Sequence, residues 1–222
     1  MTKVVLIFTF TIITIFIKTS HAQAFLGAIS LGGNLSQVDG DQVYGYKRIG
    51  INGGVAAFYP IIPDKLFTSV EISFSQKGAY QKYPNVADPT KDLPYYTLRL
   101  NYLDVPFMVH WLDKRTVMIG TGISFGRLVS MKEVEWGKKT NSEVVGGPYD
   151  HNDWNWILDV RLPIHNRLKF NFRYNYSITK IRTRSFTNLA GEEWNRDQFN
   201  NFLTFRVVYM FNEKIRPKTD GQ

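Results

Sequence analysis

The sequence predicts an all-β protein: an eight-stranded antiparallel up-and-down transmembrane β-barrel. Three observations carry this prediction. Apolar and polar residues alternate with a period of two through most of residues 25–211, the pattern of strands with two unlike faces. Short and long connections between those strands follow each other in strict order. Beyond the N-terminus no run reaches the roughly 18 uncharged apolar residues of a spanning helix, so a membrane-embedded chain would have to satisfy its backbone groups in a closed barrel.

The eight segments follow in order. Residues 25–37 set Gly27, Ile29, Leu31 and Leu35 against Ala28, Ser30, Asn34 and Ser36. Residues 48–59 set Ile49, Ile51, Val55, Ala57 and Tyr59 against Gly50, Asn52, Gly54 and Ala56. In residues 66–77, Thr68, Val70, Ile72 and Phe74 alternate with Ser69, Glu71, Ser73 and Ser75. Residues 97–111 place Leu98, Leu100 and Tyr102 on the apolar face, then Leu103, Val105, Phe107, Val109 and Trp111. That change of phase predicts a β-bulge at Tyr102-Leu103, beside Pro106, which lacks a ladder donor. Residues 116–131 alternate Val117, Ile119, Ile123 and Phe125 with Met118, Gly120, Gly122, Ser124 and Gly126. Residues 154–162 oppose Trp154, Trp156, Leu158 and Val160 to Asn155, Asp159 and Arg161. Residues 168–179 alternate without a break from Leu168 and Lys169 to Ile178 and Thr179. Residues 199–211 set Leu203, Phe205, Val207, Tyr209 and Phe211 against Phe202, Thr204, Arg206 and Val208.

Residues 60–65, 112–115 and 163–167 are the short connections, and 38–47, 78–96, 132–153 and 185–198 the long, polar ones. Short turns on one rim and long loops on the other are the layout of an outer-membrane barrel. An even strand number then leaves both termini in the periplasm. Residues 1–22 read as a signal peptide, with Lys3 before an apolar run, Lys18 closing it, and small residues that allow cleavage after Ala22 or Ala24. Residues 23–211 are the expected barrel, and 212–222 a periplasmic tail.

Composition agrees. The 16 Phe, 12 Tyr and 5 Trp suit strands and membrane interfaces. The absence of cysteine excludes disulfides, thiolate chemistry and lipid attachment at an N-terminal Cys. Without Lys3 and Lys18 the chain has 25 basic and 19 acidic residues, or +6. No zinc spacing, basic helix or stacking platform turns that moderate charge into a nucleic-acid site.

Eight strands also build soluble lipocalins, so the facing of the strands decides the class. One face here is aromatic and β-branched, while the other is small, polar and sparsely charged, as a narrow lumen requires. The apolar face is therefore expected to meet lipid, with Tyr59, Trp111, Trp154, Tyr209 and Phe211 as interfacial girdles. Glu71, Arg99, Asp159, Arg161, Lys169, Arg173 and Arg206 are expected to share the lumen as structural charges. They should pair, because an isolated buried charge is costly.

The segments Gly32-Gly33-Asn34-Leu35-Ser36 with Asp39-Gly40-Asp41, Gly50-Ile51-Asn52-Gly53-Gly54, Glu71-Ile72-Ser73-Phe74-Ser75-Gln76-Lys77-Gly78 and above all Leu98-Arg99-Leu100-Asn101-Tyr102-Leu103-Asp104-Val105-Pro106 carry a resemblance. With them the chain resembles the PorT-like outer-membrane β-barrel family of Bacteroidota over nearly all of its mature length. The resemblance implies the barrel fold and, as an alternative role, a component of a protein-secretion machinery. It supplies no catalytic residues.

Other constellations are weaker. Asp150-His151-Asn152-Asp153 has the residue types of an acid–base site, but these types also make loops polar and turn-prone. His110, His151 and His165 are spread over both rims, and no metal or cofactor is expected. Asp39-Gly40-Asp41 lacks the further ligands of a calcium loop and reads as a turn. The glycines at 53–54 and 120–126 precede no helix, so they form no phosphate loop. Lys138-Lys139 and Arg182-Thr183-Arg184 belong to the outer rim, where lipopolysaccharide phosphates are candidate contacts. The expected role is an integral, non-enzymatic outer-membrane protein whose partners are outer-membrane lipid, lipopolysaccharide and a protein bound through the external loops. A surface barrel enzyme and a soluble lipocalin-like carrier are further alternatives.

Overall fold

The computed structural model describes residues 25–83, 95–114, 116–188 and 190–212. The segment expected as a signal peptide, with its two expected cleavage positions, and the residues beyond Asn212 expected as a tail lie outside the described residues. Eight antiparallel strands form the ring: β1 (Leu26–Asp39), β2 (Arg48–Ile62), β3 (Leu66–Lys82), β4 (Tyr95–Asp113), β5 (Val117–Glu135), β7 (Asn152–His165), β8 (Leu168–Ser177) and β10 (Glu193–Met210). Pairing of β1 with β10, from Ala28↔Met210 to Asp39↔Phe199, closes the ring and removes both sheet edges. Two short strands stand outside it, β6 (Lys138–Asn141) on β5 and β9 (Arg182–Thr187) on β10.

On one rim the turns are tight, and in each a residue other than glycine takes a left-handed conformation: Asp64 (φ 62°), Lys114 (φ 43°) and Asn166 (φ 45°). Asp and Asn tolerate this region because their side chains hydrogen-bond locally. On the other rim the strands run on past the expected segments. Residues 132–153, expected as a loop, hold the end of β5, all of β6 and the start of β7. Residues 185–198 hold the second half of β9 and the first part of β10.

The outward positions form an apolar belt. Ile29, Leu31, Ile51, Val55, Val70, Ile72, Phe107, Ile123, Trp156 and Val207 are all exposed there. Trp111, Tyr59, Tyr209 and Phe211 ring the tight-turn end, and Trp154 lies towards the other. Inward positions are small or polar: Ser30, Asn34, Asn52, Ser73, Ser75, Asn171 and Asn175 are buried. This polarity is the reverse of a lipocalin's, whose apolar face lines the lumen.

One expectation is overturned. The bulge exists at the expected height, but the extra residue is Val129 of β5: Asn101 pairs with Ser130 and Tyr102 with Leu128. β4 itself alternates without interruption, so Tyr96, Leu98, Leu100, Tyr102, Asp104, Met108 and His110 all point inward. Leu98, Leu100 and Tyr102 are therefore lumen residues, and Arg99 is exposed on the outer face, not among the lumen charges. The physical reason is that the distal end of the lumen is itself apolar. There Leu98, Leu100, Tyr102, Leu128 and Met131 pack with Val43 and Tyr149 from the loops. Large apolar side chains at this height are a covered core, not a lipid face.

Phe172 sits in the middle of β8, opposite Val160 and Phe205. Phe172→Arg should lower the unfolding free energy in lipid by about 2–4 kcal/mol, measured by denaturant titration with heat-dependent gel mobility. A loss below about 0.5 kcal/mol, the range of neutral surface changes, would mean that this face does not meet lipid.

Candidate functional site

Buried inward side chains line the lumen along its length. At the tight-turn end Ala28, Phe58, Val208 and Met210 form a small apolar layer. Above it lies a cluster of charges built from strands that are distant in sequence. Arg173 of β8 donates from Nη2 to Glu71 Oε2 (3.0 Å) and from Nε to Asp159 Oδ1 (2.8 Å). Arg206 of β10 makes a close contact from Nη1 to Glu71 Oε1 and donates to Asn52 Oδ1 (3.2 Å) and Asn171 Oδ1 (3.0 Å). Arg161 of β7 donates to Asp159 Oδ2 (2.8 Å), with its guanidinium 4.7 Å from the Phe58 ring centre. Lys169 is buried as well.

A second cluster stands above the first. Lys77 Nζ lies 3.2 Å from Asp104 and 3.3 Å from Asp153. Asp153 also accepts from Ser177 Oγ (2.7 Å) and Asn200 Nδ2 (2.8 Å). The rings of Tyr102 and Phe202 flank Lys77 at 4.4 and 4.6 Å. Glu71, Asp159, Arg161, Arg173 and Arg206 give the lower cluster one positive charge in excess. Lys77, Asp104 and Asp153 give the upper cluster one negative charge in excess, opposite in sign to the lower one. Desolvation of each ion is offset only because nearly every oxygen and N–H finds a partner.

Sequence reasoning missed Lys77, Asp104 and Asp153, although period two leads straight to them. Lys77 continues the inward series of Glu71, Ser73 and Ser75, and Asp153 that of Asn155 and Asp159. Two glycines make room for the inward groups. A Cβ at Gly120 would stand 2.2 Å from His110 Nδ1, and one at Gly126 would stand 2.5 Å from Asp104 Oδ1.

The long-loop rim is tied across its mouth. Glu133 of β5 accepts from Tyr96 (3.0 Å), Tyr149 (3.2 Å) and Arg182 of β9 (3.2 Å), while Arg184 of β9 pairs with Glu135 (2.8 Å). Burial and the neighbouring Glu133 push the Tyr149 phenol upward, so it stays a neutral donor. Arg182 and Arg184 are thus held by carboxylates, whereas Lys138 and Lys139 on β6 are exposed. Asp39-Gly40-Asp41 is a turn: Asp41 Oδ1 accepts from the amide of Val43 (2.7 Å), Gly40 has φ 92°, and Asp41 is buried. Burial raises its carboxyl to about 7.

The Asp150-His151-Asn152-Asp153 tetrad does not converge. Asp153 joins the upper lumen cluster, Asn152 accepts from Arg127 on the outer wall, and the His151 carbonyl accepts from Leu128. His110 is buried against Ser69 (2.8 Å), and His165 is exposed at the end of β7. No group of three metal-ligating side chains occurs among the described residues.

Glu71→Gln should cost about 3–5 kcal/mol of barrel stability, because two buried guanidiniums lose their shared anion. Removing the exposed Lys180–Asp197 pair should leave it nearly unchanged, because solvent screens the two charges. Denaturant titration of both variants checks the contrast. The loop after β1 should also respond to pH. Asp41 holds its proton when docked but loses it near its ordinary value of 3.8 when undocked. The docked state is therefore fully stabilised below about pH 4 and loses that stability as pH rises through about 7. Hydrogen-exchange protection of the 41–47 amides should fall by about tenfold or more between pH 5 and pH 8, and Asp41→Asn should abolish the change.

The family model described as outer membrane protein beta-barrel domain matches residues 19–182. Among solved structures, Ail, the attachment invasion locus protein of Yersinia pestis, aligns at 14% identity and TM-score 0.50, covering 84% of this chain and 98% of Ail. A major outer membrane protein from Thermus thermophilus aligns at 13% identity and TM-score 0.46, covering 85% of this chain and 100% of its own. Neisserial surface protein A aligns at 12% identity and TM-score 0.45, covering 85% and 97%. No curated protein sequence matches the chain. A closed eight-stranded ring, an apolar belt outside charged clusters, and a family match over most of the sequence lead to one assignment: the chain belongs to the outer membrane protein beta-barrel domain family and is a barrel of the bacterial outer membrane.

Proposed function

We propose that the protein is a non-enzymatic, non-conducting outer-membrane barrel that acts through its external rim as a structural or binding element. The observation that carries this reading is the stack of two ion-paired clusters of opposite net charge across the lumen, roofed by the apolar cluster of Leu98, Leu100, Tyr102, Leu128 and Met131. A solute would have to break paired buried charges to pass. What remains for contact with the outside is the raised end of the barrel, the β5–β6 and β9–β10 hairpins. Trp136 is exposed at the β5–β6 turn and stacks on Tyr83 at 4.8 Å, and Tyr44 of the β1–β2 loop and Val145 of the β6–β7 loop are exposed at the same end. Large aromatics set among cations are the groups that anchor protein interfaces. In this reading residues 1–22 direct export and are removed, and residues 212–222 remain in the periplasm.

The strand segment 98–106, with its likeness to the PorT-like barrels, supports a second reading in which the rim docks onto a protein-secretion assembly. Co-purification of a stoichiometric membrane complex would favour it.

The first reading is tested by reconstituting the purified full chain in planar bilayers. No stable conductance is expected; a steady open channel would contradict it.

A further inference from the structure

The bulge at Val129 has a consequence on the lipid-facing wall, away from the external rim. Below it the outward residues of β5 are odd-numbered, ending at Phe125, Arg127 and Val129. The extra residue reverses the phase, and Ser130 and Lys132 become the outward ones. Lys132 thereby stands directly across from Arg99 of β4, with both side chains exposed on the same face, and Ser130 stands across from Asn101. Like charges placed opposite each other on neighbouring strands destabilise the pair. No carboxylate among the described residues pairs with Arg99, Lys132 or Arg127.

The surroundings define the chemistry of a ligand that would suit these cations. Directly below the pair lie a polar strip and then the apolar belt. In the strip Gln76 donates to Asn101 (2.9 Å) and Asn101 to Ser130 (2.6 Å), and Arg127 donates to Asn152 (2.7 Å). The belt beneath shows Leu103, Phe107 and Phe74. Arg99 lies twelve residues along β4 from Trp111 of the lower girdle. That is about 40 Å of strand, or roughly 30 Å of height at a tilt of about 40°. An apolar band of this kind is about 25 Å tall, so the two cations stand just above its upper edge, at the level of outer-leaflet headgroups. A ligand there must carry negative charge at its head and apolar chains that run down the barrel wall.

We infer that Arg99 and Lys132 form a binding site for the phosphates of a phosphorylated glycolipid of the outer leaflet, whose acyl chains lie along Leu103, Phe107 and Phe74. The site goes beyond the proposed role of the external rim. It uses the wall of the barrel and is independent of what the loops contact. It also accounts for a lysine and an arginine held side by side at a height where each would otherwise repel the other.

The test uses the full chain in phosphatidylcholine nanodiscs, with bisphosphorylated lipid A and chemically dephosphorylated lipid A as probes and bound lipid measured by native mass spectrometry. Wild-type protein should prefer the phosphorylated form by about tenfold or more, the scale expected for two cations at a charged surface. The R99Q/K132Q double variant should lose that preference while keeping heat-modifiable mobility, and K138Q/K139Q, altered on the external hairpin, should retain it. The single variants R99Q and K132Q, each intermediate, give the same reading should the double variant fail to fold. Equal retention of the two lipids by wild type, or an undiminished preference in the double and single variants, would overturn the inference. Displacement of the lipid by excess inorganic phosphate would overturn it too, since it would show a phosphate site rather than a lipid site.

Discussion

The carboxylate of Glu71 shared by Arg173 and Arg206 is the interaction on which the rest of the barrel depends. Glu71 comes from β3, Arg173 from β8 and Arg206 from β10, so one ion triad braces the ring across its diameter. Asp159 extends it through Arg173 to Arg161 on β7. In a lumen this narrow no ion keeps its hydration shell, and each charge is tolerable only through the geometry of the others. The closed ladder holds the strands where the pairs can form, and the pairs fill the space that closure leaves. Asn52 and Asn171 then take up N–H groups of Arg206 that the carboxylate does not reach. Small inward residues follow from the same constraint, which is why glycine stands where His110 and Asp104 need room.

Along its axis the interior changes character in layers: apolar, ionic with positive excess, ionic with negative excess, and apolar again. The upper apolar layer begins where the wall leaves the apolar belt for the headgroup level of Arg99 and Lys132, and Val43 and Tyr149 of the external loops complete it. There polar surroundings replace lipid outside the wall, and an apolar interior stabilises the strands as it would in a soluble protein. Within the membrane the outside is already apolar, so the inside can be polar provided that it is satisfied. One set of strands thus passes between two solvents and reverses its burial logic part of the way up.

This reversal marks where the sequence stopped being legible. The ring of eight strands, the lipid-facing residues and the tight-turn rim follow from period two and from connection length, since both arise from local backbone geometry. The inward charges within the belt were legible for the same reason, as at Glu71 and Arg173. Leu98, Leu100 and Tyr102 misled because large apolar residues were assigned to lipid at a height where they line a covered interior. The misplaced bulge followed from that assumption. A phase change in β4 would also have turned Arg99 inward, whereas the true extra residue, Val129, leaves it outside. Asp153 was hidden in a presumed loop because β7 begins before the first tryptophan of its apolar face. The ties between Arg182 and Glu133 and between Arg184 and Glu135 join residues that approach only once the barrel has closed, and no spacing announces them.

The central claim is that the lumen is a dry, ion-paired interior with lipid on its outside. Because the chain has no cysteine, single thiols can be placed along β3 and read without background. Ser73→Cys and Ser75→Cys put isosteric thiols in the buried inward row, and Ile72→Cys and Phe74→Cys put them on the exposed outer row. In proteoliposomes the inward thiols should resist a charged water-soluble maleimide applied to either side, and the outward thiols should react with a lipid-soluble one. Labelling of Ser73→Cys by the charged reagent at the rate of a free thiol would mean a water-filled lumen and would contradict the account.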